Sequence, residues 1–133
     1  MNITLRIEEE KDFQTVENIT IEAFWNVYRP GCSEHFIVHK LRSSPAFIKE
    51  LDFVAELGGE VVGNIVYSKA VVVTDAGTRH EVIGFGPLSV LPAYQKRGIG
   101  AKLMEHTVEI AKDMDLRPLL FSEIPPITIV LDL

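Results

Sequence analysis

The chain has 133 residues, of which 47% are hydrophobic and 24% are charged, and it carries a formal net charge of −6. This length and composition predict one soluble globular domain over residues 1–133, with a single core. The acidic balance argues against nucleic acid as a partner, no apolar run is long enough to span a membrane, and a single cysteine, Cys32, excludes an internal disulfide and is typical of cytoplasmic proteins.

The N-terminal part of the chain predicts one strand and two helices. Residues 2–7 alternate apolar and polar side chains, as a half-buried strand does. Asp12 is the predicted cap of a helix that the pair Pro30-Gly31 breaks, and Ser33 is the predicted cap of a second helix. The apolar side chains of the first helix are Phe13, Val16, Ile19, Ala23 and Phe24.

The middle of the chain predicts consecutive antiparallel strands. Residues 53–57 and 61–68 are rich in apolar and β-branched side chains, and the glycine pair at 58–59 between them is a hairpin signal. Residues 70–74 extend or bend the second strand, and residues 81–85 begin the next one. Short turns between consecutive strands indicate an antiparallel sheet.

The stretch 86–104 is the predicted centre of the functional site. It begins as a strand, continues as a loop with the sequence Gln-Lys-Arg-Gly-Ile-Gly at 95–100, and ends as the start of a helix. The N–H groups at a helix start lack intrahelical partners and the helix dipole is positive there, so the loop suits a phosphate or pyrophosphate. Its glycines let the backbone approach such an anion, and its lysine and arginine supply cations.

The helix after this loop is predicted from the spacing of its side chains. Apolar residues recur at Leu103, Ile110 and Met114. Polar residues fall on the other side, at Lys102, Glu105, His106, Glu109, Lys112 and Asp113. Residues 119–122 are then predicted to form a strand parallel to the one before the helix, and residues 127–131 a further strand.

Four interpretations of the loop compete. A P-loop requires Gly-Lys-Ser/Thr, but Ala101-Lys102-Leu103 follows Gly100. A dinucleotide-binding fingerprint requires a third glycine at position 103, which is leucine. An acyl-coenzyme A loop remains, beside an ordinary glycine turn before a core helix, which a bare Gly-x-Gly would favour.

The residues around the loop favour the acyl-coenzyme A interpretation. Gln95-x-x-Gly98-x-Gly100 is preceded by Pro87-Leu88-Ser89-Val90 and by Pro92-x-Tyr94. This combination resembles the central motif of the GNAT superfamily of N-acetyltransferases. Residues 59–68 narrow the resemblance to the YhbS-like predicted acyltransferases, although Asn64 stands where that subgroup tends to have histidine.

The resemblance implies an α/β fold of the acyl-CoA N-acyltransferase type, in which helices flank a mixed, mostly antiparallel sheet. It implies acetyl-CoA as cosubstrate, an amine of a small molecule or a protein as acceptor, and no metal. The residues implied to contact the pantetheine arm are Leu88, Ser89 and Val90, with a backbone N–H there polarising the thioester carbonyl. The residues implied to hold the pyrophosphate are Gln95, Lys96, Arg97, Gly98, Ile99, Gly100 and Ala101.

Two features of the strand before the loop bear on the chemistry. Pro87 cannot donate a ladder hydrogen bond, so it predicts a bulge or a local opening of the sheet. Transfer to an amine requires a base and an acid, which the sequence does not fix. Glu34 and His35 on the acceptor side, and Glu81 in the central strand, are candidates, although a plain polar surface residue is the simpler interpretation of each.

The C-terminus departs from the family pattern. Related proteins continue with another helix, often carrying a tyrosine that acts as acid, and with two more strands. No tyrosine follows Tyr94 here, so the chain looks C-terminally shortened. A non-catalytic acyl-CoA-binding or interaction module is therefore the alternative function, and an open sheet edge predicts a homodimer.

The amino acids at 122–133 indicate that a frame shift explains the shortened C-terminus. Read in the neighbouring frame, these amino acids permit Tyr-Tyr-x-Arg-Phe-Gly-Phe, which resembles the segment that the family has there. A frame shift near the codons for Phe121 and Ser122 is therefore expected, and the coding DNA tests it.

Overall fold

The structure is a computed structural model that describes residues 2–27, 30–116 and 127–131. Its helices and strands, in chain order, are β1 (Ile3–Ile7), α1 (Phe13–Phe24), α2 (Glu34–Leu41), β2 (Phe53–Leu57), β3 (Glu60–Thr74), β4 (Arg79–Val90), α3 (Ile99–Asp113) and β5 (Ile127–Leu131). The predicted strand at 119–122 lies outside the described residues. So does most of the C-terminal segment to which the frame-shift prediction refers, and both stay predictions.

The strands form one sheet in the order β1-β2-β3-β4, with β5 also paired to β3. All described pairs are antiparallel, as the short turns predicted. β3 is long enough to have several partners along one edge. It pairs there with β2 near its start and with β5 over 70–74, while β4 occupies its other edge. Residues 70–74 therefore extend the second strand of the hairpin.

Helices cover both faces of the sheet, as predicted. α3 lies on one face, where Ile99 and Leu103 pack among buried side chains of β2 and β3. α1 and α2 lie on the other, where Val16 and Val38 pack against Val54. The chain therefore folds as two helical layers around one sheet, and the loop at 95–100 joins the end of β4 to the start of α3.

The buried side of α3 differs in part from the predicted one. Its fully buried positions are Ile99, Leu103, Thr107 and Ala111, whereas Met114 follows the helix and is 40% exposed. Thr107 occupies a core position because its hydroxyl donates to the carbonyl of Leu103 at 2.8 Å and lies 2.7 Å from the hydroxyl of Tyr67. The predicted polar side of the helix is exposed.

The two predicted helix caps have the right positions, but neither side chain makes the capping hydrogen bond to the helix. The Asp12 carboxylate instead accepts hydrogen bonds from Arg6 at 2.7 and 3.0 Å and from the N–H of Glu9 at 2.8 Å. Asp12 binds Arg6 and does not cap the helix, because a hydrogen bond between charged groups is roughly twice as strong as one between neutral groups. α1 also ends at Phe24, before the predicted break at Pro30.

Candidate functional site

β4 contains the bulge that Pro87 predicts. Leu88 lies opposite Ile65 and Phe85 lies opposite Tyr67, so two residues of β4 stand against one residue of β3. The two are Gly86 and Pro87. Because a bulge locally disrupts the ladder and bends the strand, β4 changes direction at this point.

The backbone of β4 after the bulge offers hydrogen-bonding groups on its outer edge. The N–H of Leu91 donates to the carbonyl of Val62 at 2.9 Å. Hydrogen-bonded pairs alternate along an antiparallel ladder, so Ser89 also pairs its backbone with β3, while the N–H and C=O groups of Leu88 and Val90 face away from β3. Among the described strands, none pairs with that outer edge.

The three strand residues implied to contact a pantetheine arm therefore differ in orientation. Leu88 and Val90 present their N–H groups to the open edge, whereas the backbone of Ser89 faces β3. The Ser89 side chain is buried, and its hydroxyl lies 3.3 Å from that of Thr20 on α1. Thr20 is not among the predicted site residues, since nothing in the neighbouring sequence distinguishes it from an ordinary helix threonine.

The loop between β4 and α3 contains two residues in the left-handed region. Lys96 has φ 64° and Gly98 has φ 83°, and α3 begins at the next residue, Ile99. The first helical hydrogen bond runs from the N–H of Lys102 to the carbonyl of Gly98 at 3.0 Å. The N–H groups before Lys102 therefore have no intrahelical partner, and no described atom lies within 4 Å of where a Gly98 Cβ would be.

Side chains tie this loop to the strand and to the core. The Gln95 side-chain amide donates to the carbonyl of Val90 at 2.9 Å. The guanidinium of Arg97 lies 5.6 Å from the ring centroid of Tyr94, which is half-buried against the core on the α3 side. Ile99 is buried in that core, so its side chain is not available to a ligand. The loop residues therefore form one unit with the end of β4.

α1 crosses the sheet from its first strand towards the open edge of β4. Asp12 at its start is bound to Arg6 of β1, and Thr20 lies against Ser89 of β4. The distance across the sheet from β1 to β4 is three strand spacings, or about 14 Å. The eight residues from Asp12 to Thr20 rise about 12 Å along the helix, so α1 is long enough to make both contacts. α1 continues past Thr20 to Phe24, which is roughly 6 Å of helix.

A buried polar cluster lies beneath α1 and α2. Arg42 donates to both carboxylate oxygens of Glu8 at 3.2 and 2.9 Å and to Glu17 at 2.7 Å. Asp52 accepts a hydrogen bond of 3.0 Å from Asn64, whose own side-chain oxygen is buried without a described partner. Burial and the neighbouring Glu8 carboxyl raise the pKa of Asp52 to about 9, and the Asn64 hydrogen bond and the charge of Arg42 offset this only in part.

The structure separates the candidate bases. Glu34 accepts from the N–H of Ser33 at 3.4 Å, and Nδ1 of His35 lies 3.7 Å from the sulfur of Cys32. Both stand at the start of α2. Glu81 is exposed in β4, seven residues before Leu88, which is about 23 Å along a strand. Glu81 is therefore far from the open edge at Leu88, and no candidate is assigned as base.

The described residues contain no group of three or more histidine, cysteine or acidic side chains arranged to hold a metal ion. No helix within them is both long and apolar enough to cross a membrane.

The family model described as "Acetyltransferase (GNAT) family" matches residues 14–124. The chain belongs to the GNAT family. This membership confirms the resemblance and the fold class predicted from the sequence. A search of curated proteins gave no match.

Solved GNAT structures share the architecture. An acetyltransferase from Brucella melitensis in complex with acetyl-CoA has 27% identity and a TM-score of 0.79, with 98% of this chain and 88% of that one covered. YhbS from Escherichia coli, solved with CoA, has 20% identity and a TM-score of 0.72, with 87% of this chain and 59% of that one covered. The Escherichia coli ribosomal-protein-S18-alanine N-acetyltransferase has 16% identity, a TM-score of 0.59, and coverages of 86% and 63%.

Proposed function

We propose that this GNAT protein is an N-acetyltransferase that transfers the acetyl group of acetyl-CoA to an amine. One observation carries the proposal: the left-handed loop that opens α3 directly adjoins the outer edge of β4 after its bulge, with which no described strand pairs. The pyrophosphate of acetyl-CoA would bind the backbone N–H groups at the start of α3, with Lys96 and Arg97 beside it. The acetyl-CoA complex of the Brucella melitensis relative supports this cosubstrate.

The pantetheine arm would lie along the outer edge of β4. Its amide groups would pair with the outward N–H and C=O groups of Leu88 and with the N–H of Val90, as an additional strand would, while the Val90 carbonyl accepts from Gln95. The N–H of Leu88, beside the bulge, would polarise the thioester carbonyl and stabilise the oxyanion that forms there.

The chemistry requires two proton transfers. A neutral amine attacks the thioester carbonyl carbon, the new C–N bond forms, and the C–S bond breaks to release the CoA thiolate. The amine loses a proton to a base and the thiolate takes one up. Positioning supplies much of the rate, because the thioester is already activated.

The test measures binding and turnover on one sample. Calorimetry gives the affinity for CoA, and release of free CoA thiol from acetyl-CoA is followed with a panel of amines. Amine-dependent thiol release supports the proposal, and absence of CoA binding overturns it. Tight binding without turnover on any amine supports the alternative, a non-catalytic acyl-CoA-binding or interaction module.

A cytoplasmic location and a homodimer stay predictions. The dimer is expected because, without the usual closing elements of the family, a sheet edge and apolar surface are left open. In the structure β5 pairs with β3 of the same chain over residues 70–74. Light scattering at micromolar concentration tests the dimer, and a strictly monomeric mass would contradict it.

A further inference from the structure

A pair of buried hydroxyl groups links α1 to β4. Ser89 and Thr20 are 1% and 0% exposed, and the Ser89 hydroxyl donates to that of Thr20 at 3.3 Å. The Thr20 hydroxyl in turn donates to the carbonyl of Val16, one helical turn earlier, at 2.8 Å. The other buried side chains of α1, Val16 and Ile19, are apolar and pack in the core with Val54. Thr20 therefore gives the buried serine the hydrogen-bond partner that a buried polar group requires.

Ser89 is the middle residue of the segment 88–90, which the proposed function uses to bind the thioester end of acetyl-CoA. Successive side chains of a strand point to opposite faces of the sheet. Those of Leu88 and Val90 lie at the start of α3, where a Cβ added at Gly100 would be 3.7 Å from the first and 3.9 Å from the second. The segment is therefore held by α3 on one face and by α1 on the other.

The bulge in β4 makes the contact with α1 important for the position of this segment. A bulge interrupts the ladder and bends the strand, so the pairing before it does not fix the strand after it. A donor that stabilises an oxyanion must nevertheless be aimed in advance, to within about 0.5 Å of the productive geometry. The hydroxyl pair supplies such a fixed point directly beneath the backbone of the segment 88–90.

We infer that Thr20 is a positioning residue for acetyl transfer: through the Ser89 hydroxyl it holds the N–H of Leu88 towards the thioester carbonyl. The inference rests on the proposed acetyltransferase function. Thr20 is fully buried, so it acts through Ser89 and not by touching acetyl-CoA. The rival interpretation is a purely structural pair of hydroxyls, whose loss would change the free energy of unfolding and nothing at the thioester.

Thr107 on α3 provides a matched control on the opposite face of the sheet. It is also 0% exposed, its hydroxyl donates to the carbonyl of Leu103, four positions earlier, at 2.8 Å, and it lies 2.7 Å from the hydroxyl of Tyr67. Thr20→Val and Thr107→Val therefore remove the same kind of buried hydrogen bonds, and denaturant melts measure the cost of each. Thr15→Val makes the same change at an exposed position of α1.

The measurement is the infrared stretching frequency of bound acetyl-CoA that is isotope-labelled at the acetyl carbonyl. This frequency falls when a hydrogen-bond donor polarises the carbonyl. Calorimetry with CoA comes first and tests the proposed function separately. Each variant is then saturated with labelled acetyl-CoA, so that the frequency reports on the bound thioester and not on affinity. Ser89→Ala and the double variant with Thr20→Val complete a double-mutant cycle.

We expect Thr20→Val and Ser89→Ala each to raise the carbonyl frequency towards that of free acetyl-CoA and to weaken acetyl-CoA binding by about threefold to tenfold. The double variant should do no more than either single variant, because both changes break the same contact. Thr20→Ser, which keeps the hydroxyl, should keep the frequency of the parent protein. Thr107→Val should lower the free energy of unfolding without moving the frequency, and Thr15→Val should change neither.

Absence of CoA binding overturns the proposed function and this inference with it. The inference alone is overturned if CoA binds and Thr20→Val keeps the parent frequency, or if Thr20→Val and Thr107→Val move it equally. If Thr20→Val does not fold, as judged by circular dichroism, Ser89→Ala decides: an unchanged frequency in that variant overturns the inference, and a raised one supports it.

Discussion

The side-chain amide of Gln95 donates a 2.9 Å hydrogen bond to the backbone carbonyl of Val90. Val90 is the last residue of β4, and its peptide groups face the outer edge of that strand, away from β3. The contact therefore uses one acceptor of that edge and fixes the loop relative to the strand. It gives Gln95 a structural role, and a direct contact of Gln95 with coenzyme A stays a prediction.

Removing this hydrogen bond should weaken acetyl-CoA binding. Gln95→Ala loses one exposed hydrogen bond, for which we expect a loss of about threefold to tenfold in affinity. Gln95→Glu should lose more, because a carboxylate would face a carbonyl oxygen. Calorimetry measures both. Gln14→Ala is the matched control, since Gln14 makes a comparable exposed hydrogen bond to Asn18 on α1. Equal affinities for all three variants would rule out this role.

Lys96 should show opposite effects on folding and on binding. A lysine at φ 64° is strained, so Lys96→Gly should raise the free energy of unfolding by about 1 kcal/mol. The same change removes a cation from the loop and should weaken acetyl-CoA binding. Denaturant melts and calorimetry on one preparation test the pair of effects. Lys112→Gln, in the last turn of α3, controls for the loss of charge. Unchanged binding by Lys96→Gly would contradict a role for its charge.

Two glycines of the sheet should respond differently to alanine. A Cβ at Gly63 would lie 3.2 Å from the Ser89 carbonyl oxygen and 3.4 Å from side-chain atoms of Ile99 and Leu103, so the sheet or α3 must shift. We expect Gly63→Ala to lower the free energy of unfolding by about 1–3 kcal/mol. Gly84→Ala meets no described atom within 4 Å and should cost less. Thermal melts that gave both variants the same midpoint would refute this packing.

The buried Asp52 should make stability fall as pH rises. An unfolded aspartate ionises near pH 4, whereas burial raises the pKa of folded Asp52 to about 9. Between these values the folded chain holds one more proton than the unfolded chain, so the free energy of unfolding decreases with pH. The charged groups around it are Glu8, Arg42 and Glu17.

Asp52→Asn removes this titration while keeping an acceptor for Asn64. Melts between pH 5.5 and pH 8.5 should therefore show a shallower fall for the variant than for the parent protein. Comparing the two slopes cancels the groups that titrate in both proteins. Identical slopes would mean that Asp52 does not carry a proton in the folded state.

The local features of the fold were predictable from the sequence. The hairpin glycines, the apolar spacing of α3 and the proline of β4 each act within a few residues, and the structure contains the corresponding hairpin, helix and bulge. The fold class followed from the resemblance in the central stretch, and family membership confirms it.

The contacts that were missed join distant parts of the chain. Arg42 meets Glu8 across 34 positions, and Ser89 meets Thr20 across 69. Such pairs depend on how α1 and α2 lie on the sheet, which no local pattern encodes. The left-handed Lys96 was also missed, because a lysine carries no signal for positive φ. The coenzyme A and candidate base residues were named from the sequence and stay predictions.

The most direct test of the account is acetyl-CoA binding by Gly98→Val, measured by calorimetry with circular dichroism as a check on folding. Gly98 has φ 83° and open space where a side chain would point, which is the space assigned to the pyrophosphate. Gly58→Val is the control, with a comparable φ of 62° and open space in the hairpin turn, and Gly98→Ala is a milder variant should valine prevent folding. We predict that the folded Gly98 variants lose acetyl-CoA binding while Gly58→Val binds like the parent. Binding by a Gly98 variant as tight as that of the parent would contradict the account.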